Sequence, residues 1–342
     1  MTLDALAYEV QFLDHLAPVW HALPDRGRFI VDPSLVARAA SLGIEAEPVP
    51  RPQVMRGKPI PPNPGWNPAL VASYGDTKEA RRLGYGPLAF LEHGIGQSYG
   101  QGPRANGSYS GGPDRSDTEL FLVPGEDPAS KWRQAYPGAR VEVVGCPRLD
   151  DLPRRVPDDQ TTVAVSFHWP APISVSGYAG TALGYFSAAL PGLAQRFHVI
   201  GHAHPKGDWP ARMEREYRRA GIEFVRDFDE VCRRADVYVC DNSSTIYEFA
   251  ATGRPVVLMN ANHWQRGPEL GLRFWAASHV GVNVDRAADL GDAVAEALAD
   301  SPEQQWARED ALALVYGHRT GAADRAARAI EDWLRSRQER AA

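Results

Sequence analysis

The chain has 342 residues, 44% of them hydrophobic and 23% charged, and a formal net charge of −6. That is the make-up of a soluble globular protein long enough for two domains, and its acidic balance argues against non-specific binding to nucleic acid or an anionic membrane surface. No stretch approaches eighteen uninterrupted apolar residues and Met1-Thr2-Leu3-Asp4-Ala5 lacks the basic and apolar regions of a secretory signal, so the expectation is a cytoplasmic protein without a membrane span.

Strand and helix alternate from the start. Leu3 to Val10 reads as a strand, Phe12 to Leu23 has helical spacing of apolar residues, and Arg28 to Val31 reads as a second strand. Pro33 marks a helix start, with Leu35 to Leu42 as the helix. Ile44 to Val49 leads into a proline-rich crossing, Pro48 to Pro68, expected as an irregular surface connection. Ala69 to Ala72 is a strand, Lys78 to Leu83 a helix and Pro87 to Leu91 a strand, at the intervals of βαβ units. That last strand runs into Glu92-His93-Gly94 and then a loop, Gly100 to Asp114, rich in Gly, Ser and Asn. A His at the carboxyl end of a strand is well placed for chemistry, and an imidazole titrating near neutrality could take a proton from an attacking hydroxyl; a structural His bonded to the loop is the alternative. The loop carries no G-x-x-x-x-G-K pattern, so it reads as a lid or acceptor loop, not a P-loop. Glu119 to Val123 (strand), Asp127 to Ala135 (helix) and Val141 to Val144 (strand) lead to Gly145-Cys146-Pro147-Arg148-Leu149-Asp150.

The charged, proline-rich Pro153 to Gln160 reads as a linker between a domain of residues 1–152 and one of residues 161–342, whose last helix could pack back on the first domain. A second alternating series opens with Thr161 to Ser166, which ends in Phe167-His168-Trp169-Pro170; Gly184 to Leu193 belongs to the helix after it. His198 to Lys206 is a strand ending in a basic, polar turn. His202 and His204 would share a strand face, but no third ligand follows by spacing, so a phosphate contact from His204 or Lys206 is preferred to a metal. Trp209 to Ala220 is a helix whose Arg215, Arg218 and Arg219 form a solvated face. Cys146, Cys232 and Cys240 are odd in number and lack metal or redox spacing, so reduced, buried thiols are expected. Val280 to Asp285, Ala287 to Ala299, Gln304 to Val315 and a last amphipathic helix, Ala323 to Arg337, complete the chain.

The segment Ala235 to Leu258 organises the rest. It reads as a buried strand, a polar turn, a short helix stopped by Gly253 and Pro255, and a second buried strand. Asp241-Asn242-Ser243-Ser244 at that turn could simply cap the helix. Alternatively Asn242, Ser243, Ser244 and Thr245 could bind phosphate, since free N–H groups, hydroxyls and the positive helix end converge at the carboxyl end of a strand.

Two α/β halves with polar loops at strand ends argue for Rossmann-like domains facing across a cleft. In order along the chain, Glu92-His93-Gly94, Val144 to Asp150, His204-Pro205, Asp241 to Phe249 with Thr252 to Val256, and Gly317 to Arg325 resemble the motifs of the CDP-glycerol glycerophosphotransferases, the teichoic-acid primases and polymerases of the GT-B superfamily. The resemblance runs from about Pro87 to Ile330. It implies an α/β GT-B fold and a transferase moving glycerophosphate or a related polyol phosphate from a CDP-activated donor to an acceptor hydroxyl, without metal or cofactor. It implies His93 as general base, His204 on the donor phosphates, Ser243 and Ser244 on the pyrophosphate and Glu248 on the ribose, with Gly94, Arg148 and Asp150 shaping a hinge and cleft wall. Ser244 and Glu248, four residues apart, would share one helix face.

This chain departs from that pattern on the acceptor side. Ile95 and a Gly-rich loop stand where the family shows a Thr and a basic segment, and Ser166-Phe167-His168-Trp169 stands where it shows Ala-Pro-Thr-Trp. A lipid-linked acceptor is therefore not implied. A glycosyltransferase using a nucleotide sugar, a sugar-nucleotide epimerase and a non-catalytic nucleotide-binding scaffold are the alternatives, the last disfavoured because a scaffold needs none of His93, His204, Ser243, Ser244 and Glu248.

Overall fold

The computed structural model describes residues 2–51, 67–94, 111, 115–170, 180–264, 266 and 274–341. Most of the proline-rich crossing and nearly all of the Gly-rich loop, with Ile95, Arg104 and Tyr109, lie outside the described residues. The chain forms two compact units: the first runs to His93, resumes ahead of Thr118, ends at Asp151 and regains the chain from Tyr316; the second is built on Leu152–Val315.

In the first unit the elements are β1 (Leu3–Ala7), α1 (Val10–Ala22), β2 (Arg26–Val31), α2 (Val36–Ser41), β3 (Ala46–Pro48), β4 (Asn67–Val71), α3 (Tyr74–Arg82), β5 (Tyr85–Leu91), β6 (Thr118–Val123), α4 (Glu126–Ala135) and β7 (Arg140–Val143). All seven strands are parallel, in the order β3-β2-β1-β4-β5-β6-β7. Helices cover both faces, so the central strands are buried along their length: every residue of β1 and β5 is buried. Alternate residues feed separate cores. Ala89 and Leu91 join Leu13, Leu16 and Trp20 on one face, while Leu88 and Phe90 join Phe121 and Trp132 on the other. The order reverses between β1 and β4, whose carboxyl ends therefore border a natural binding crevice.

The second unit contains β8 (Thr162–Phe167), α5 (Leu183–Phe186), α6 (Leu190–Arg196), β9 (His198–Ala203), α7 (Trp209–Arg219), β10 (Glu223–Phe224), α8 (Phe228–Arg234), β11 (Val237–Cys240), α9 (Thr245–Ala250), β12 (Val256–Met259), β13 (Val282–Val284), α10 (Leu290–Ala299) and α11 (Pro302–Val315). Its sheet, β10-β9-β8-β11-β12-β13, is again wholly parallel and reverses between β8 and β11. The single helix expected over Gly184 to Leu193 is broken at Ser187–Ala189, because Pro191 lacks the N–H that would continue it and instead opens α6. Gly201 is required by contact: a Cβ there would lie 2.4 Å from the Tyr217 ring, whose hydroxyl reaches the carbonyls of Val165 and His202 at 2.8 and 2.9 Å.

The last helix, α12 (Ala322–Ala341), belongs to the first unit, where Ala326, Ile330 and Trp333 enter the same core as α1. Two of the sequence motifs meet where it docks. Gly145, at φ 91°, leaves room for the His318 carbonyl, which would stand 2.6 Å from a Cβ there. Asp150 accepts from the Ala323 amide at 2.8 Å, and Arg325 donates to the Val144 carbonyl at 3.0 Å. Among the described residues no helix is long and apolar enough to cross a membrane.

Candidate active site

In the second unit the polar groups gather at the carboxyl ends of β8, β9 and β11, around the reversal of strand order. The chain leaves β11 at Asp241, which is fully buried. One carboxylate oxygen accepts from the amides of His168 (2.8 Å) and Asn242 (2.7 Å), the other from the amide of Ala182 (2.7 Å). Burial pushes its carboxyl up to about 6, against the pull of those N–H donors. Asp241 is thus no simple helix cap: one side chain ties the exit of β8, the approach to α5 and the turn into α9. Two of these donors, the amides of His168 and Ala182, lie far away in sequence, so spacing alone gave no sign of this role.

Within the turn, Ser243 Oγ accepts from the Thr245 amide at 3.3 Å and its hydroxyl at 2.8 Å, and Thr245 Oγ1 lies 2.9 Å from the Tyr238 hydroxyl. Ser244 makes no cap bond to the helix; its hydroxyl donates to Glu248 Oε1 at 3.0 Å. Ser244 and Glu248, expected to share one helix face, are therefore joined by a direct hydrogen bond. Asn242 and Glu248 are buried, Ser243, Ser244 and Thr245 half-buried.

After β9, His204 and Lys206 are half-buried, and the Lys206 amide donates to the His204 carbonyl at 2.9 Å. The His204 ring stands edge-on to His168 with centroids 5.0 Å apart. His202 is buried instead, with Nδ1 2.9 Å from the Val225 carbonyl and a pKa lowered by burial. Among the described residues no group of three or more His, Cys, Asp or Glu could hold a metal ion.

In the first unit His93 follows β5 directly, and Gly94 turns the chain at φ 72°. His93 Nδ1 is hydrogen-bonded to the Ala72 carbonyl, which makes Nδ1 the donor and leaves Nε2 as the basic nitrogen. Phe12 and His15 of α1 pack on its ring at centroid distances of 4.5 and 6.3 Å. Burial, then the neighbouring His93 and Arg148, hold His15 well below the usual imidazole range. Arg148 is buried 3.8 Å from Asp14, and Asp150 holds α12. Glu92 accepts from the Trp132 indole at 2.8 Å.

One group was missed in the sequence. Asp76 is fully buried in the first turn of α3, just past the carboxyl end of β4, with its amide donating to the capping Ser73 Oγ at 2.9 Å and Arg51 3.4 Å away. Burial raises its carboxyl to about 7. Ser73-x-x-Asp76 is a helix-start pattern following a strand, which is the signal that could have found it.

No protein-family model and no curated protein matches this sequence. Solved structures match nearly end to end. The S. aureus MnaA–UDP complex aligns with a TM-score of 0.63 at 13% identity, covering 98% of this chain and 97% of that one. A putative UDP-N-acetylglucosamine 2-epimerase from Listeria monocytogenes gives 0.59 at 13% identity, covering 99% and 97%. The wall teichoic acid polymerase TagF gives 0.58 at 9% identity, covering 99% and 90%. The fold is GT-B. Identities this low speak to fold alone, and the two parallel sheets with alternating helices are the architecture that the sequence pattern led one to expect.

Proposed function

We propose that the protein is a transferase that uses a nucleotide-activated donor, with CDP-glycerol as the donor and a hydroxyl compound as the acceptor. The observation that carries this reading is the turn Asn242–Ser244, held by the buried Asp241 at the strand-order reversal of the second sheet, with His204 and Lys206 at the end of β9, on the far side of β8. Hydroxyls, an imidazole and an ammonium at the carboxyl ends of parallel strands suit a diphosphate. Glu248, one turn along from Ser244, suits ribose hydroxyls. In the reaction His93 Nε2 takes the proton of the acceptor hydroxyl, whose oxygen attacks the β-phosphorus. The bond to the CMP oxygen breaks, and CMP leaves with the electron pair while His204 and Lys206 stabilise its charge.

One observation favours a second reading, a sugar-nucleotide epimerase. The Ser-rich turn with Glu248 bonded to Ser244 suits the diphosphate and ribose of a sugar nucleotide equally well, and a putative UDP-N-acetylglucosamine 2-epimerase is among the matching structures. A thermal-shift and turnover screen over CDP-glycerol, CDP-ribitol and UDP-, GDP- and dTDP-sugars separates the two. Stabilisation and turnover with CDP-glycerol is the expected result; response to UDP-sugars alone removes the CDP-glycerol assignment. His93→Ala should abolish transfer with CDP-glycerol affinity nearly unchanged, and normal turnover in that variant would remove His93 as the base.

A further inference from the structure

His168 stands where the resembled family shows a Thr, next to a Trp169 that matches the family, and neither takes part in the reaction just given. The structure nevertheless places His168 at the centre of the donor end of the second unit. Its backbone amide donates to the same Asp241 oxygen that accepts from Asn242, at 2.8 and 2.7 Å. A single buried atom therefore fixes the spacing between the exit of β8 and the turn that begins at Asn242. The strand end beneath is fixed as well, because the Trp209 indole donates to the Phe167 carbonyl at 2.9 Å.

The ring of His168 carries that anchoring outward. Its Nδ1 lies 2.9 Å from the Trp169 carbonyl, which sets the ring's orientation, and a second hydrogen bond runs from the ring to the Gly180 backbone. So braced, the ring meets His204 edge-on at 5.0 Å, with an interplanar angle of 64°; the Trp169 ring stands 6.3 Å from His204. Burial lowers the His168 pKa to about 4, so at neutral pH it adds shape and a dipole beside His204 without adding charge.

We propose that His168 is a positioning residue for the donor diphosphate: pinned to Asp241 through its backbone, it holds the His204 imidazole at a fixed distance from the Asn242–Ser244 turn. This rests on the reading of that turn as the diphosphate site. It assigns His168 no contact with the reacting atoms. The edge contact is what matters, so an aromatic ring of similar reach should serve in its place.

Calorimetric titration with CDP, UDP and cytidine tests this on the whole chain. For His168→Ala, affinity for whichever diphosphate the native protein binds should fall roughly tenfold, the scale of losing a residue that orients a ligand-binding side chain. Cytidine affinity and the melting temperature should stay near native, and His168→Phe should regain most of the diphosphate affinity. Equal losses for diphosphate and cytidine, or an unrescued loss in His168→Phe, would mean that the residue serves general structure and would overturn the proposal. Native diphosphate affinity in His168→Ala would overturn it too while leaving the diphosphate site standing. A native protein that binds neither CDP nor UDP would remove the site and this role together.

Discussion

Asp241→Asn separates the stability of the second unit from the shape of its turn. The carboxyl titrates at an ordinary 3.8 in the unfolded chain and at about 6 in the folded one, a difference that corresponds to about 3 kcal/mol. The folded state holds this proton more tightly, so the group's contribution is most favourable below pH 3.8. It declines by about 3 kcal/mol as pH rises through 6, and is flat above. Asparagine resembles the protonated acid and has no such slope. Relative to the native protein, the variant should therefore gain about 3 kcal/mol between roughly pH 4 and pH 7. His168, with a pKa lowered to about 4, acts in the opposite sense, losing stability as pH falls below 6.5. Asp76, raised to about 7, acts in the same sense as Asp241. Both are present in the two proteins and cancel in the difference. Binding should move the other way. An amide offers one acceptor oxygen where the carboxylate offers two, so one of the N–H groups of His168, Asn242 and Ala182 is left facing a donor at a cost of about 1–3 kcal/mol. The turn should relax, and CDP should bind more weakly at neutral pH although the fold is no less stable. Urea unfolding at several pH values, with CDP titration at the highest, reads both quantities. Parallel stability curves for the two proteins, or native CDP affinity in the variant, would refute the reasoning.

Two further outcomes follow from the geometry. Glu248→Ala removes the acceptor of the Ser244 hydroxyl and a candidate ribose contact, and should weaken CDP binding by about 1–3 kcal/mol, whereas Glu248→Gln keeps a carbonyl oxygen for Ser244 and should lose less; equal losses in a competition assay would show that the Ser244 bond is irrelevant. In the first unit, Arg81 donates to Asp117 through Nε at 2.6 Å and a terminal nitrogen at 2.5 Å, both side chains buried, so Asp117→Ala should remove the carboxylate from a buried guanidinium and lower stability by about 3–5 kcal/mol in urea unfolding; a loss below about 1 kcal/mol would mean that other groups or water compensate the charge.

The fold was legible because both sheets are covered on two faces. Strands such as Pro87 to Leu91 and Val256 to Leu258 must then be apolar throughout, and the helices between them keep a readable period. Strand order was not written in that pattern, and neither was the break at Pro191 that divides α5 from α6. The site was legible only where its parts are neighbours in sequence. Asn242 to Glu248 form one turn and one short helix, so the relation of Ser244 to Glu248 follows from spacing, although their direct hydrogen bond does not. The anchoring role of Asp241 was not legible for the complementary reason: two of its three amide donors, His168 and Ala182, are supplied by other segments.

A motif therefore reports that residues are constrained without reporting by what. Val144 to Asp150 and Gly317 to Arg325 look as specific as Asp241 to Phe249, yet they meet each other: Gly145 makes room for His318, Arg325 reaches Val144 and Asp150 holds Ala323. They dock α12 to the first unit. Ser244 shows the same principle inside the donor end. Its hydroxyl hydrogen is already given to Glu248, so a donor phosphate can receive it only if that bond is exchanged. If, as proposed, Ser244 reads phosphate and Glu248 reads ribose, the two recognitions are one coupled event, and a ligand that offers phosphate alone breaks the pair without giving Glu248 a new donor in place of Ser244. CDP should on this ground gain more from the turn than inorganic pyrophosphate does.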